Sequence, residues 1–282
     1  MPPQRERRAG AENATQPERT RGQHHQQGRC FIQLRTTLSA FALSGAALLT
    51  GCQNMSPDAM LQSGLMAVQA VTLSDAEVRS MADQACAQMD AEANIAGPNS
   101  PYTKRLDKIA NNLGHQINGT PITYKVYQAD DVNAWAMANG CVRVYSGLMD
   151  LMTDNEVEGV LGHEIGHVAL GHSKKAMQTA YATNAARNAA AGSGNSTVAV
   201  LSASQLGALG EKLVNAQFSQ SQENAADNFS FDLLTQRNIP REGLVTAFEK
   251  LAKLGGGEGS MFSSHPGSSD RANNMRTRLA AK

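Results

Sequence analysis

The sequence predicts an α+β fold, mostly helical, with a small antiparallel sheet flanking one polar helix. Three observations carry this. Apolar residues recur at helical spacing over most of the chain beyond residue 74. An alternating apolar pattern is confined to residues 121–147. Within it, Asn139-Gly140 is a strong hairpin signal.

Each element has its own signal. A helix begins at Ser74, which with Glu77 makes a capping box: the hydroxyl accepts from a first-turn amide and the carboxylate reaches back. Pro98 and Pro101 punctuate, and Tyr102 to Ile117 reads as a second helix. "PITYKVYQA" alternates as a strand from Pro121, and "DVNAWAMANGCVRVYSG" supplies two more short strands. Thr153 and Glu156 form another capping box ahead of a helix over Asp154–His172, where Val157, Val160, Leu161, Ile165 and Val168 mark a buried side. Residues 182–204, rich in Ala, Ser, Asn and Gly, read as a mobile loop over the site. Helices follow at roughly Ala203–Phe218, Ser221–Arg237, Arg241–Leu254 and Ser269–Ala280.

The chain has 282 residues and zero formal net charge, unevenly spread. Residues 1–37 hold seven Arg against three Glu, whereas from Cys52 onward 22 acids face 18 bases. A mildly acidic body without a basic patch argues against nucleic acid as a partner. Residues 1–33 are polar and Arg/Gln-rich, and read as a disordered leader or an over-extended start; His24-His25 there is too weak a pattern to count as a metal site. Residues 34–51 contain an apolar run of signal-peptide length, too short to span a bilayer permanently. It ends in Leu49-Thr50-Gly51-Cys52, which resembles a lipobox; Cys52 is then the lipidated N-terminus and residues 52–73 a tether. Gln53 after that cysteine suggests the outer membrane, with the body facing the periplasm. With Cys30 in the leader and Cys52 lipidated, Cys86 and Cys141 are the thiols of the mature body, residues 74–282, and an isolated pair in an oxidising compartment reads as a disulfide.

The chemistry concentrates in "LGHEIGH", Leu161 to His167. On a helix, His163 and His167 are neighbours on one face, with Cβ atoms roughly 5–6 Å apart. Two imidazoles at that separation can hold one tetrahedral cation. Glu164, about 100° round the helix, is beside such an ion rather than on it, which suits a base. As plain core the segment is poor, because three buried polar side chains need partners. Gly162 and Gly166, each costing about 1 kcal/mol against alanine, make sense if something packs close.

A catalytic zinc needs a third protein ligand and an open position. His172 lies only five residues beyond His167 at the helix end, and Leu170 and Ser173 stand where one class of zinc peptidases has Gly and His, so that class fails. "SQENAADNFSFDLL" offers Glu223 with Asp227 one turn on. Alone, the two read as a solvated acidic face. Beside H-E-x-x-H, Glu223 reads as the third ligand and Asp227 as the acceptor that orients a ligand histidine.

H-E-x-x-H followed by E-x-x-x-D resembles the gluzincin metallopeptidases related to HtpX and the CAAX prenyl proteases. Asn133-Ala134-Trp135-Ala136 is similar to that family's edge-strand motif, with Trp for Phe. Val144-Tyr145-Ser146-Gly147-Leu148 is similar to its approach to the active helix, and His265-Pro266 with Arg271 to its C-terminal motif. The resemblance covers about residue 73 to the end. It implies a zincin-like fold, one Zn2+ per chain on His163, His167 and Glu223, and Glu164 as general base. It places Asn133 on a substrate-binding strand and Arg271 beside the site. His265 reads, with Asn133, as a catalytic donor to the carbonyl oxygen under attack, for which the stiffness of Pro266 speaks; the alternative is a fourth ligand that closes the site, for which the Gly255–Gly259 run speaks by letting the segment swing. The substrates expected are unfolded or misassembled envelope proteins, with other envelope proteases or assembly factors as partners. The rival from another class is a chaperone or assembly factor on the same fold with little turnover, against which the intact Glu164 speaks.

Overall fold

The computed structural model describes residues 73–190, 201–254 and 261–281. The leader, signal, lipobox and nearly all of the tether lie outside the described residues, as does the Gly255–Gly259 run.

Helix α1 (Asp75–Glu92) starts at the Ser74 box, which forms with both reciprocal bonds. Helix α2 (Pro101–Leu113) stops earlier than the spacing predicts. Gly114 caps it at φ 98°, and two short strands, β1 (Gln116–Ile117) and β2 (Thr120–Pro121), pair antiparallel beyond it. Strands β3 (Thr123–Tyr127), β4 (Ala134–Ala136) and β5 (Cys141–Tyr145) form a sheet in the order β3-β5-β4. The α+β class holds, but the sheet is mixed rather than antiparallel throughout: β4 pairs antiparallel with β5, and β3 pairs parallel with it. The crossover from β3 passes through β4 and the Asn139-Gly140 turn, so β5 ends up between them.

A short helix α3 (Ser146–Leu151) leads into α4 (Asp154–Ala169), capped by Thr153 and Glu156 as expected. The chain then breaks at Leu170-Gly171 and re-enters a helix, α5 (His172–Ala190). Residues 182–190 are therefore helical, against the loop expected there; Ala-rich sequence favours helix even where polar residues interrupt it. Residues 191–200 lie outside the described part. Helices α6 (Ala203–Val214), α7 (Gln220–Gln236), α8 (Glu242–Leu254), α9 (Met261–Ser264) and α10 (Ser268–Ala280) complete the order.

Because side chains alternate along a strand, β5 feeds two cores. Val142 and Val144 join Val157, Val160, Leu161, Phe248 and Leu234 in the main core. Cys141 on the opposite face joins α1 and Met177 of α5 in a second one. The two layers leave α4 buried from Glu156 through His167. No helix among the described residues is long and apolar enough to cross a membrane.

Candidate metal centre

Helix α4 carries His163, Glu164 and His167, all nearly inaccessible. What lies against it depends on its glycines. A Cβ at Gly162 would stand 2.6 Å from Ser230 Oγ, and one at Gly166 would stand 3.0 Å from the Ala226 carbonyl oxygen. Both neighbours belong to α7, so the two glycines let α7 press onto α4. Ser230 seals the approach by donating to the Gly159 carbonyl at 2.9 Å. The helix propensity lost at these positions thus brings Glu223 and Asp227 of α7 up to the histidines.

The approach brings the ligand atoms together. His163 Nε2 and His167 Nε2 are 3.0 Å apart, and Glu223 lies 3.5 Å from the first through Oε2 and 3.4 Å from the second through Oε1. His265 joins from the segment between α9 and α10: its Nδ1 is 3.1 Å from His163 Nε2 and 3.0 Å from Glu223 Oε1. One potential ligand atom from each of these four buried residues lies within 4.8 Å of every other. A tetrahedral ion with arms of about 2.0–2.1 Å needs ligands about 3.3 Å apart, which this group approximates.

Each remaining predicted residue has a definite place. Asp227 Oδ1 faces His163 Nδ1 at 2.8 Å, the far edge of the ring, with Arg271 Nη2 3.0 Å from the same nitrogen; a proton on Nδ1 donated to the carboxylate leaves the Nε2 lone pair toward the other ligand atoms. Arg271 grips Asp227 with two bonds of 2.8 and 2.6 Å, pairs with Glu223 at 2.8 Å, and stacks over Phe248 at 4.1 Å. Asn133 is buried just before β4, its side-chain oxygen accepting from the Ala134 amide at 2.9 Å and its backbone oxygen from the Tyr145 amide. In the antiparallel pair with β5, Asn133 and Met137 bond inward, so the peptide groups of Ala134 and Ala136 turn away from β5, where the Ala136 carbonyl accepts from Ser173 Oγ at 3.2 Å. Cys86 and Cys141 are disulfide-bonded, as expected, on the other face of the sheet. Cys52 lies outside the described residues.

The electrostatics favour cation binding. Burial, aided by Arg271, holds His163 well below its ordinary pKa, and burial brings His167 down to about 4. Both are neutral at physiological pH, as a ligand must be. Burial alone would raise Glu223, but its contacts with His167 and His265 outweigh it and keep the carboxylate ionised. Burial pushes Glu164 up to about 7, and among the described residues its Oε1 has no hydrogen-bond partner, with His265 Nε2 3.5 Å away. Two neutral imidazoles, an ionised carboxylate and a free carboxylate oxygen beside them fit a divalent cation with an adjacent base.

Two residues near the ligands were not singled out as functional by spacing. Phe218 stacks on His167 at 3.9 Å between ring centroids, and His172 Nδ1 lies 3.0 Å from His167 Nδ1. A cavity of about 420 Å³ opens beside them, lined also by Lys175, Thr179 and Lys212.

Comparison with known proteins agrees with this site. Residues 101–279 match peptidase family M48. The chain is 62% identical over 241 residues to metalloprotease LoiP of Escherichia coli K12, covering 85% of this chain and 95% of that one. It is 54% identical over 250 residues to metalloprotease YcaL of the same organism, covering 87% and 98%. A putative beta-barrel assembly-enhancing protease of Vibrio cholerae is 26% identical over 216 residues, covering 70% of this chain and 44% of its own length.

Proposed function

The chain belongs to peptidase family M48 and is a metalloprotease, and from that premise we propose that it is a zinc endopeptidase that cuts unfolded or misassembled proteins of the cell envelope. The observation that carries the reading is the Oε1 of Glu164, buried next to the His163/His167/Glu223 group without a hydrogen-bond partner among the described residues.

Zinc held by His163, His167 and Glu223 would supply Lewis-acid activation of a water and of the peptide carbonyl. The rest is done by the chain. Glu164 takes the attacking water's proton and returns it to the leaving amine, a task suited to a carboxyl raised to about 7. Asp227, braced by Arg271, keeps His163 in the tautomer that presents Nε2. The edge strand β4, with Asn133 before it, receives the substrate as an added strand. That pairing reads extended backbone more than side chains, which selects unfolded over folded chains. His265, whose Nδ1 lies among the potential ligand atoms, would close the position next to the His163/His167/Glu223 ligands in the resting enzyme, a role its place supports over that of a donor. Substrate then has to displace it.

The lipobox-like run ending at Cys52, with Gln53 after it, supports an anchor on the outer membrane facing the periplasm, within reach of other envelope proteases and assembly factors. Two experiments test the reading. The purified enzyme should digest a reduced, permanently unfolded protein and spare its native form, and a chelator should stop digestion; an assembly factor with little turnover would bind the unfolded protein and leave it intact. Cys52→Ala should release the protein from the membrane fraction, and an unmodified Cys52 in the parent would refute the anchor.

A further inference from the structure

We propose that His172 is a positioning residue for the metal ligand His167, accepting the proton of its far nitrogen and so holding its metal-facing nitrogen free. The inference rests on the metal-centre reading above and extends it to a residue outside the ligand set.

The argument begins with the two edges of the His167 ring. Nε2 faces the other ligand atoms, 3.0 Å from His163 Nε2 and 3.4 Å from Glu223 Oε1. Nδ1 is the opposite edge. A neutral imidazole has one proton; if Nε2 presents its lone pair to a cation, Nδ1 carries the hydrogen and needs an acceptor. For His163 the acceptor is the Asp227 carboxylate at 2.8 Å. For His167 the partner at that position is His172 Nδ1 at 3.0 Å. Accepting through Nδ1 requires His172 to keep its own proton on Nε2. The pair of ligands is thus oriented by unlike partners, a carboxylate braced by arginine and a neutral imidazole.

The backbone is built for this contact. On an unbroken helix a residue five positions beyond His167 would sit about 140° round the axis, away from the ring. Helix α4 instead ends at Ala169, and Gly171 adopts φ 73°, a left-handed conformation a side chain would strain. Helix α5 then begins at His172, which folds back under His167 with ring centroids 5.1 Å apart. The remaining freedom of the ring is taken by Phe218, stacked on its face with an interplanar angle of 27°. Phe218 sets the plane of the imidazole, and His172 sets which edge points to the ligand group.

Two substitutions separate positioning from packing. His172→Asn puts an amide oxygen where Nδ1 was but removes the ring; His172→Phe keeps a ring beside His167 but removes the acceptor. The readout is zinc affinity of the full chain by competition with a chromophoric chelator, with the visible spectrum of the cobalt-loaded protein as a second signal. His172→Phe should bind zinc about 10- to 100-fold more weakly than the parent, the usual cost of losing such a partner, and shift the cobalt bands. His172→Asn should stay within a few-fold of the parent and keep its spectrum. The reverse order, or two variants that match the parent, or two that are weakened alike, would overturn the assignment. A parent chain that takes up no metal would instead refute the metal centre itself, so the two failures are distinct.

Discussion

Among the described residues, two arginine–aspartate pairs share nearly the same geometry and meet opposite fates, one fully buried and the other with its aspartate half-buried. Arg143 grips Asp90 through two bonds of 2.8 Å, as Arg271 grips Asp227 through bonds of 2.8 and 2.6 Å. Around the first pair the polar groups close on one another. Asp90 also receives Lys125 and the Tyr127 hydroxyl, and Arg143 donates to the Thr123 and Val142 carbonyls. Burial alone would raise the Asp90 carboxyl, but these donors outweigh it and bring it down to about 2. Around the second pair the polar groups converge without closing. Burial raises Asp227 despite Arg271, with Glu223 adding to the push, and the Glu164 oxygen lies unpartnered close by. The first cluster ties α1 to the sheet beside the Cys86–Cys141 bond and is complete as it stands. The second gathers four potential ligand atoms on one point, as a group that could hold a cation does. A buried polar cluster announces function less by its charge than by what it leaves unsatisfied.

Substitutions in each cluster should therefore fail differently. The largest effect belongs to Glu164→Gln, which removes the base and leaves the ligands. We expect peptidase turnover to fall by about 10²–10⁴-fold, while zinc content and melting temperature stay at parental values; a variant that cleaves at the parental rate would remove Glu164 from the mechanism. Next is the double variant Cys86→Ala/Cys141→Ala. Opening a loop across 55 residues of sequence separation should cost on the order of 4 kcal/mol in the chain-entropy account. Denaturant midpoints would show it. Zinc stoichiometry should not change, because the bond lies on the sheet face away from α4; loss of metal would show that the two clusters are coupled.

Asp90→Asn is smaller and carries a pH signature. The folded carboxyl is held at about 2, below its ordinary value of 3.8. Its stabilisation is therefore present above about pH 4 and lost as pH falls through about 2, with the pH-dependent part on the order of 2 kcal/mol. Urea midpoints for parent and variant should converge as the pH is lowered across that window, and a gap independent of pH would contradict the assignment. The smallest effect is expected at His265. As a fourth ligand it should, when replaced by alanine, weaken zinc binding by about tenfold and speed cleavage; slower cleavage with unchanged affinity would restore the donor role.

The degree to which these clusters could be read in advance follows from how local their signals are. His163, Glu164 and His167 are separated by less than two helical turns, so the period of α4 alone juxtaposes them. Glu223 and Asp227 are likewise one turn apart, but their approach to α4 depends on contacts between helices that only Gly162 and Gly166 hinted at. His265 and Arg271 entered by family resemblance, since no periodicity links residue 265 to residue 163. His172 was dismissed as a ligand, correctly on spacing, while its contact with His167 hung on a helix break at Gly171. Gly171 lies inside the helix that spacing predicts over Asp154–His172, and the sequence does not show where a helix restarting after it would point. The parallel pairing of β3 with β5 was hidden for a similar reason: alternation shows which face is buried and says nothing about the direction of a neighbour. The early end of α2 was legible in Gly114, and its helical reading ran past that signal.

The central claim is that the second cluster is a metal centre that runs proteolysis, and stoichiometric reconstitution tests it most directly. Strip the purified chain with a chelator, remove the chelator, and titrate zinc back while following cleavage of an unfolded protein and the melting temperature together. The account predicts no cleavage in the stripped chain, and a return of both signals that breaks sharply at one zinc per chain. Undiminished cleavage by fully metal-free protein, or a return that ignores zinc, would contradict it.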